Sequence, residues 1–300
     1  MTPLPYSKVL VVQKRTKLEL DLEAFGDMDA LRDLSRNRPD VLQRTVESHE
    51  RQVQSRRILL EKVFPTATFA FREALDDNSL SEKFDLIVSH GGDNHFTYVA
   101  HKVDQIPILG CNSDPKTSVG ALLPFDSSNL IEVTKGTIHI IEEKWNQIST
   151  IIDYPNGSSV ETVPAICEIS IRNNSPDLTS RYWIEHDLLV EEQKCSGLLV
   201  YTGAGSTGWV ASCQPKKLST FEKDLPQFEV YAREIRAKRN HGKWRLSEFR
   251  TNKEVRVISE MNGGIAIDSL TERHYPFPPY CKATFRLSPK QLKVIVPVNV

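Results

Sequence analysis

The sequence predicts an α/β fold in which a parallel-sheet domain is followed by a β-rich domain. Up to about residue 136, short apolar runs alternate with helical segments, which is the pattern of right-handed βαβ units and a parallel sheet. From about residue 137 the pattern changes to strand-like segments joined by polar turns. The length of 300 residues agrees with two domains, or with one large α/β unit, at about 150 residues per domain.

The first domain begins with the apolar, β-branched run 9–12, which is typical of a strand buried in a parallel sheet. In the charged helix that follows Pro39, Val46, Val53 and Leu60 recur at seven-residue spacing, so they share one face. Gly136 is a stop signal for a later helix. The predicted elements are a strand at 9–12, a helix at about 40–63, a strand at 84–88, a helix at 94–103, a strand at 106–109 and a helix from an N-cap at Ser127 or Ser128 to Lys135.

The second domain is predicted from strands and turn signals. Asn156-Gly157 and the segment 173–176 are turn sequences. A proline cluster at 276–279 predicts a crossing back to the first domain, so we expect domains at 1–136, completed by about 276–300, and at 137–275. The predicted strands are 138–141, 147–152, 166–171, 182–190, 197–201, 256–258, 264–267, 284–287 and 292–296.

Composition and charge exclude several classes of protein. Lys plus Arg number 38 and Asp plus Glu number 39, so the balance gives no reason to expect nucleic acid or a membrane as a partner. No apolar run approaches the ~20 residues that span a bilayer, and the N-terminus lacks the pattern of a secretory signal. The five cysteines include no CxxC pair, which favours a reducing compartment over a disulfide framework. We therefore expect a cytoplasmic protein.

The sharpest motif is Gly91-Gly92-Asp93-Asn94, directly after a predicted buried strand. Two glycines at the carboxyl end of a parallel strand let a ligand approach the backbone closely. The following helix points its free N–H groups and its positive dipole end at the same place, which favours phosphate. The alternative is a tight turn in which Asp93 only caps the helix.

Two further polar turns belong with this motif. Asn112-Ser113-Asp114-Pro115 ends another predicted parallel strand, at the sheet edge where open α/β folds bind ligands. The segment 202–209, with the sequence TGAGSTGW, follows the predicted strand 197–201 and has the small and hydroxyl-bearing residues of a loop that wraps a nucleotide. Either turn alone is also compatible with an ordinary loop.

The order and spacing of these motifs resemble the NAD kinases, and the mitochondrial-type branch more than the common bacterial one. Gly91-Gly92-Asp93 resembles the start of the GGDGT motif, and 112–115 resembles an NTDP stretch. The segment 165–169 resembles the ALNEV strand. The pair 196–198 and 202–209 resembles SGL…TGTGSKAW, and 267–269 lies where the family has a VDG turn. The resemblance runs in order from about residue 9 to residue 296.

The resemblance implies a Rossmann-like α/β domain, a β-sandwich-like second domain and NAD bound in the cleft. It implies ATP-dependent phosphorylation of the adenosine ribose 2′-hydroxyl of NAD, with Asp93 as the base and Mg²⁺ carried by ATP, so that no separate metal site is expected. It also implies a homodimer or a higher homo-oligomer. The residues it assigns to nucleotide and NAD binding are Gly91, Gly92, Asn94, Asn112, Asp114, Cys167, Glu168, Ser196, Gly205, Ser206, Thr207, Gly208 and Trp209.

Three positions depart from the family pattern. Asn94 replaces the second G of GGDG, Cys167 replaces the N of the NE pair, and Ser269 replaces the G of VDG. These departures leave two alternatives open: a homologue that binds NAD or another nucleotide without catalysis, and a kinase of another hydroxyl substrate such as a lipid or a sugar.

Two other features are given ordinary structural interpretations. The histidines His90, His95 and His101 lack standard zinc spacing, so we expect them to be solvent-facing or hydrogen-bonded. The basic stretch 233–250 is interpreted as a solvated loop or helix face rather than a phosphate-binding or nucleic-acid-binding surface.

Overall fold

The computed structural model describes residues 4–75, 80–213, 220–238 and 242–298. It is a mixed α/β structure with a parallel sheet and an antiparallel β-rich part, so the predicted fold class is confirmed. The described residues form two units, one up to Glu143 together with the residues from Lys293 onward, and one over Lys144–Leu292. The chain returns to the first unit at Lys293, later than the expected position near residue 276.

The first unit contains a parallel sheet with helices packed against it. Its central order is β4-β3-β1-β2. The short β5 and the end of β17 (Lys282–Pro297) both pair with β4 in parallel. The elements are β1 (Val9–Gln13), α1 (Lys17–Phe25), α2 (Met28–Leu34), α3 (Pro39–Ile58) continued by a π-helical turn (Leu59–Val63), β2 (Thr68–Phe71), a 3₁₀ turn (Arg72–Ala74), α4 (Leu80–Lys83), β3 (Leu86–Gly91), α5 (Asp93–Ala100), β4 (Ile108–Asn112), β5 (Phe125–Asp126) and α6 (Ser127–Lys135).

The sequence explains the ends of two helices. Pro39 is the first residue of α3, the position where a missing N–H costs nothing. The N-cap of α6 is Asp126 rather than the predicted Ser127 or Ser128, because its carboxylate accepts from two backbone amides and Asn129 completes a capping box. Gly136 ends α6 with a φ of +78°, as predicted.

The second unit contains two groups of antiparallel strands that share one core. Ile169, Leu198 and Ile265 from the sheet β13-β12-β11-β8-β15-β16 cluster with Ile184 and Val257 from the strands β10-β9-β14-β17. The strands are β6 (Ile140–Asp153), β7 (Ser159–Glu161), β8 (Glu168–Asn173), β9 (Ser180–His186), β10 (Leu189–Cys195), β11 (Gly197–Tyr201), β12 (Phe228–Arg233), β13 (Glu248–Thr251), β14 (Val255–Ser259), β15 (Gly263–Ile267), β16 (His274–Phe277) and β17 (Lys282–Pro297), with a short helix α7 (Trp209–Cys213) after β11.

Several strand predictions are corrected by the structure. The predicted strand 182–190 is a hairpin of β9 and β10, because the chain turns at Asp187, whose φ is +51°. Two pairs of predicted strands are each replaced by one long strand. Strand β6 contains 147–152 and the end of 138–141. Strand β17 contains both 284–287 and 292–296. The proline segment does not cross between units, since Pro276 pairs with Gly264 inside the second unit.

Candidate functional site

The turn between β3 and α5 presents a carboxylate at the carboxyl edge of the parallel sheet. Gly91 ends β3, Gly92 is the N-cap of α5 and Asp93 is the first residue of the helix. The Asp93 carboxylate accepts hydrogen bonds from the backbone amides of Ala121 (3.2 Å) and Leu122 (2.8 Å). Asp93 therefore does not cap its own helix, which removes the alternative interpretation of this motif, and about half of its acceptor positions are left for another donor.

The two glycines of this turn differ in the space that a side chain would have at each position. A Cβ at Gly91 would lie 2.5 Å from Cδ2 of the His95 ring, whereas a Cβ at Gly92 would meet only the Ser118 hydroxyl, at 3.3 Å. The N-cap Gly92 has no side chain that could cap the helix, and the His95 and Phe96 amides both donate to its carbonyl oxygen (3.0 Å). The positive dipole end of α5 lies at this turn. Asn94 is exposed on this turn.

The two histidines beside the turn are buried structural groups. His90 Nε2 is 2.9 Å from Ser55 Oγ of α3, and His95 Nε2 is 3.1 Å from the carbonyl oxygen of Val12. Burial lowers the pKa of His90 to about 3, with the positive charge of nearby groups acting in the same direction. Burial also lowers the pKa of His95 to about 4. For these two residues the hydrogen-bonded interpretation is correct and the solvent-facing one is wrong.

The second polar turn lies beside the first. Gly91 pairs with Asn112 across β3 and β4, and the Ser113 amide donates to the Gly91 carbonyl oxygen (3.1 Å). Asp114 is buried and accepts from Ser48 and, in a bidentate contact, from Arg51 of α3. Burial alone would raise the pKa of the Asp114 carboxyl, but these hydrogen bonds and that from Thr117 lower it to about 2.

In the second unit, a buried pair of acids lies at the start of β8. The Asp268 carboxylate accepts from the backbone amides of Ile166, Cys167 and Glu168. Glu168 is buried beside it, and burial, followed by the Asp268 charge, raises the pKa of Glu168 to about 7, while a hydrogen bond from Ser269 opposes the rise.

The loop 202–208 packs against the same acids. Thr202 donates its backbone N–H to the Cys167 carbonyl oxygen (2.9 Å). A Cβ at Gly205 would lie 2.2 Å from that oxygen, and a Cβ at Gly208 would lie 3.5 Å from Glu168 Oε2. The hydroxyls of Ser206 and Thr207 donate to the backbone of the loop itself. The motif residues 167, 168, 205, 206 and 208 therefore form one cluster.

A groove of about 500 Å³ continues from this cluster along the face of β8 and β15. Its lining includes the small side chains of Ser170 and Ala266, the ring of Trp209, and the larger polar side chains of Arg172 and His274. The Arg233 guanidinium lies 4.5 Å from the centre of the Trp209 ring. Ser269, whose hydroxyl donates to Glu168, also lines the groove.

Ser196 does not join this cluster. It precedes β11, whereas the loop 202–208 follows the opposite end of that five-residue strand, about 17 Å away at the usual rise per residue. Its hydroxyl donates to Glu234 and its carbonyl oxygen accepts from Arg233.

The basic stretch 233–250 is largely engaged with neighbouring residues of the second unit. Lys238 pairs with Glu191 (3.1 Å) and Arg250 with Glu229 (3.0 Å). Arg239, which also belongs to the stretch, lies outside the described residues.

Sequence reasoning did not identify the residues that hold these motifs. Arg51 and Ser48 lie more than sixty positions before Asp114. Ala121 and Leu122 contribute only backbone amides, which no side-chain pattern reveals. Asp268 was recognised as part of a turn but not as the acceptor of three amides, although an acid at the end of a predicted strand is a usable signal.

The fold is that of a solved NAD kinase. A crystal structure of an NAD kinase from Archaeoglobus fulgidus in complex with ATP matches 96% of this chain and 93% of that chain, with a TM-score of 0.61 and 18% sequence identity. At that identity the match shows the fold alone.

A second NAD kinase is similar to this chain in sequence. An NAD kinase of Thermococcus kodakarensis is 32% identical over 144 residues, which are 46% of this chain and 49% of that protein. The alignment thus spans about half the length of this relative. No family model matches the chain. The resemblance to NAD kinases is confirmed as a similarity in sequence and in fold, whereas the mitochondrial-type assignment stays a prediction.

No helix among the described residues is both long and apolar enough to span a bilayer. Nor do those residues contain a group of three or more His, Cys, Asp or Glu side chains arranged to hold a metal ion.

Proposed function

We propose that this chain transfers the γ-phosphoryl group of ATP to the adenosine ribose 2′-hydroxyl of NAD, giving NADP and ADP. The observation that carries the proposal is the Asp93 carboxylate, held by the amides of Ala121 and Leu122 beside the uncapped start of α5. A carboxylate beside the positive end of a helix dipole supplies a proton acceptor next to a place that favours phosphate.

In this mechanism the 2′-hydroxyl donates its hydrogen bond to one of the remaining acceptor positions on Asp93. The 2′-oxygen forms a bond to the γ-phosphorus while the bond from that phosphorus to the β,γ-bridging oxygen breaks, and ADP leaves with that oxygen. The hydroxyl proton passes to Asp93. Because phosphoryl transfer has a loose transition state, Asp93 contributes mainly by orienting the hydroxyl and accepting the proton late. In this proposal Mg²⁺ is carried into the site by ATP and neutralises part of the triphosphate charge.

The second unit contributes NAD binding in this proposal. Glu168 accepts a hydrogen bond from Ser269, which lines the groove on β8 and β15, and in this proposal its carboxylate also accepts from ribose hydroxyls. Gly205 and Gly208 bring the loop 202–208 against the backbone at Cys167 and against Glu168, which fixes the position of that carboxylate. Ser196 lies outside this cluster and is not assigned to it. Self-association and a cytoplasmic location stay predictions.

The test is a comparison of acceptors. Purified protein with Mg-ATP is supplied with NAD, a diacylglycerol or a hexose, and ADP release is followed, with NADP read separately by an NADP-specific dehydrogenase. The proposal expects ADP and NADP in equal amounts with NAD only. Release of ADP with a lipid or sugar and not with NAD would replace it with another kinase activity, and NAD binding without ADP release would replace it with a nucleotide-binding function.

A further inference from the structure

We propose that Asp114 is a positioning residue that acts with Arg51 to hold the loop 112–122, and through this loop the carboxylate of Asp93. The inference rests on the proposed function for its kinetic consequence. It differs from the role that the resemblance implies, in which Asp114 contacts the nucleotide.

The Asp114 carboxylate is already engaged by groups of the protein. Four donors reach it: Ser48 Oγ (2.6 Å), Arg51 Nε (2.7 Å), Arg51 Nη2 (3.0 Å) and Thr117 Oγ1 (2.7 Å). Three of the donors reach Oδ2 and one, Arg51 Nε, reaches Oδ1, so at Oδ2, which offers about two lone-pair positions, a ligand could bind only by displacing a donor. The side chain is also only 4% exposed.

A continuous set of hydrogen bonds leads from Asp114 to the neighbouring turn. The Asp114 amide donates to Asn112 Oδ1 (3.1 Å), and Asn112 Nδ2 donates to the Ser118 carbonyl oxygen (3.0 Å). The Thr117 and Ser118 amides donate to the Asp114 carbonyl oxygen at 3.1 and 3.0 Å. The segment 114–118 is therefore held at both of its ends.

The same loop then reaches Asp93. Gly120 has a φ of +65°, and a Cβ there would lie 2.4 Å from Asn112 Nδ2, so the chain turns tightly against the Asn112 side chain. The next two residues are Ala121 and Leu122, whose amides bind the Asp93 carboxylate. The orientation of Asp93 thus depends on a loop that Asp114 fixes.

Arg51 connects this loop to a rigid support. It lies in α3, a helix of 20 residues, and its bidentate contact matches the planar carboxylate in geometry as well as in charge. Loss of the contact would free the loop while leaving the helix intact. A small misplacement of a catalytic group is enough to lower a rate by about 10²-fold.

The kinetic test uses Arg51→Ala, Arg51→Lys, Asp114→Asn and the control Arg44→Ala. Arg44 lies on the same helix and pairs with Asp40 at the surface (2.9 Å). We expect Arg51→Ala to lower kcat by about 10- to 100-fold with little change in the KM for NAD, Arg51→Lys to recover part of the loss, and Arg44→Ala to match the wild type. A rise in the KM for NAD at unchanged kcat in Asp114→Asn would instead show that Asp114 contacts the nucleotide.

A second measurement does not depend on activity. Amide hydrogen exchange of the segment 118–123 is compared among the wild type, Arg51→Ala and Arg44→Ala, with exchange in β1 and β3 as the measure of overall folding. Faster exchange in this segment in Arg51→Ala alone supports the positioning role, and equal exchange in the three proteins overturns it. If the wild-type protein has no turnover, the proposed function fails while this measurement still decides the role of Asp114.

Discussion

Asp93 and Leu122 are joined by a hydrogen bond of 2.8 Å from the Leu122 amide to the Asp93 carboxylate, although 29 positions separate them in the chain. The bond links the turn after β3 to the loop after β4. It makes the first residue of α5 an acceptor for a neighbouring loop rather than a cap for its own helix.

Replacement of Asp93 by Asn tests the role of this carboxylate. We expect Asp93→Asn to lower kcat by about 10²- to 10⁴-fold, the usual range for removal of a general base. The amide NH₂ would also face a backbone N–H, so the free energy of unfolding should fall by about 1–3 kcal/mol. Steady-state kinetics and urea denaturation measure the two effects.

Asp85→Asn is the matched control, because each oxygen of the Asp85 carboxylate also accepts from a backbone amide, those of Ser7 and Lys8. It should lose stability and keep its kcat. Equal kcat values in the two variants would contradict the assignment of Asp93.

Glu168 should make the protein less stable as pH rises through neutrality. Burial and the Asp268 charge raise its pKa from 4.5 to about 7, so the folded state binds the proton more tightly than the unfolded state. The stabilising contribution is complete below the unfolded pKa of 4.5 and is lost as pH rises through about 7. Relative to the wild type, Glu168→Gln should therefore be more stable at alkaline than at acidic pH, by up to about 3 kcal/mol. Urea denaturation on both sides of this window measures it, and a difference independent of pH would refute it.

The buried histidines predict acid sensitivity. The pKa values of His90 and His95 fall from 6.5 to about 3 and about 4, so the unfolded state binds more protons in that range. The free energy of unfolding should decrease as pH falls below 6.5, by about 1.4 kcal/mol per pH unit for each histidine. His90→Gln should reduce the slope of the unfolding free energy against pH by the contribution of one proton. Replacement of His139, which is exposed, is the control and should leave the slope unchanged. An unaltered slope in His90→Gln would show that His90 does not cause the sensitivity.

Gly205 and Gly208 should respond differently to alanine. A Cβ at Gly205 would lie 2.2 Å from the Cys167 carbonyl oxygen, whereas at Gly208 the nearest atom is the Gly205 carbonyl oxygen at 3.3 Å. We expect Gly205→Ala to lower the free energy of unfolding by about 2 kcal/mol or more, and Gly208→Ala by clearly less. Thermal and chemical denaturation measure the difference, and comparable losses would mean that the loop moves freely away from β8.

The sequence predicts local structure better than it predicts long-range partners. The strand 197–201 was predicted with the bounds that the structure gives it, since a buried apolar run between polar residues is a local signal. The sequence predicts one strand where the structure has the hairpin at 182–190, because Asp187 and Leu188 are not a typical turn pair and the positive φ of Asp187 depends on its surroundings. Asp114 shows the same limit within the site. Its motif is visible in the sequence, but its partners in α3 lie 63 and 66 positions away, and the positioning role proposed for it rests on them.

The most direct measurement is the identity of the product formed from NAD and Mg-ATP. Phosphorus NMR and mass spectrometry of the reaction mixture should show a new 2′-phosphate monoester on the adenosine ribose and an equal amount of ADP, both absent with Asp93→Asn. A mixture in which NAD binds to the protein but stays unmodified, or a phosphate on any other hydroxyl, would contradict the account.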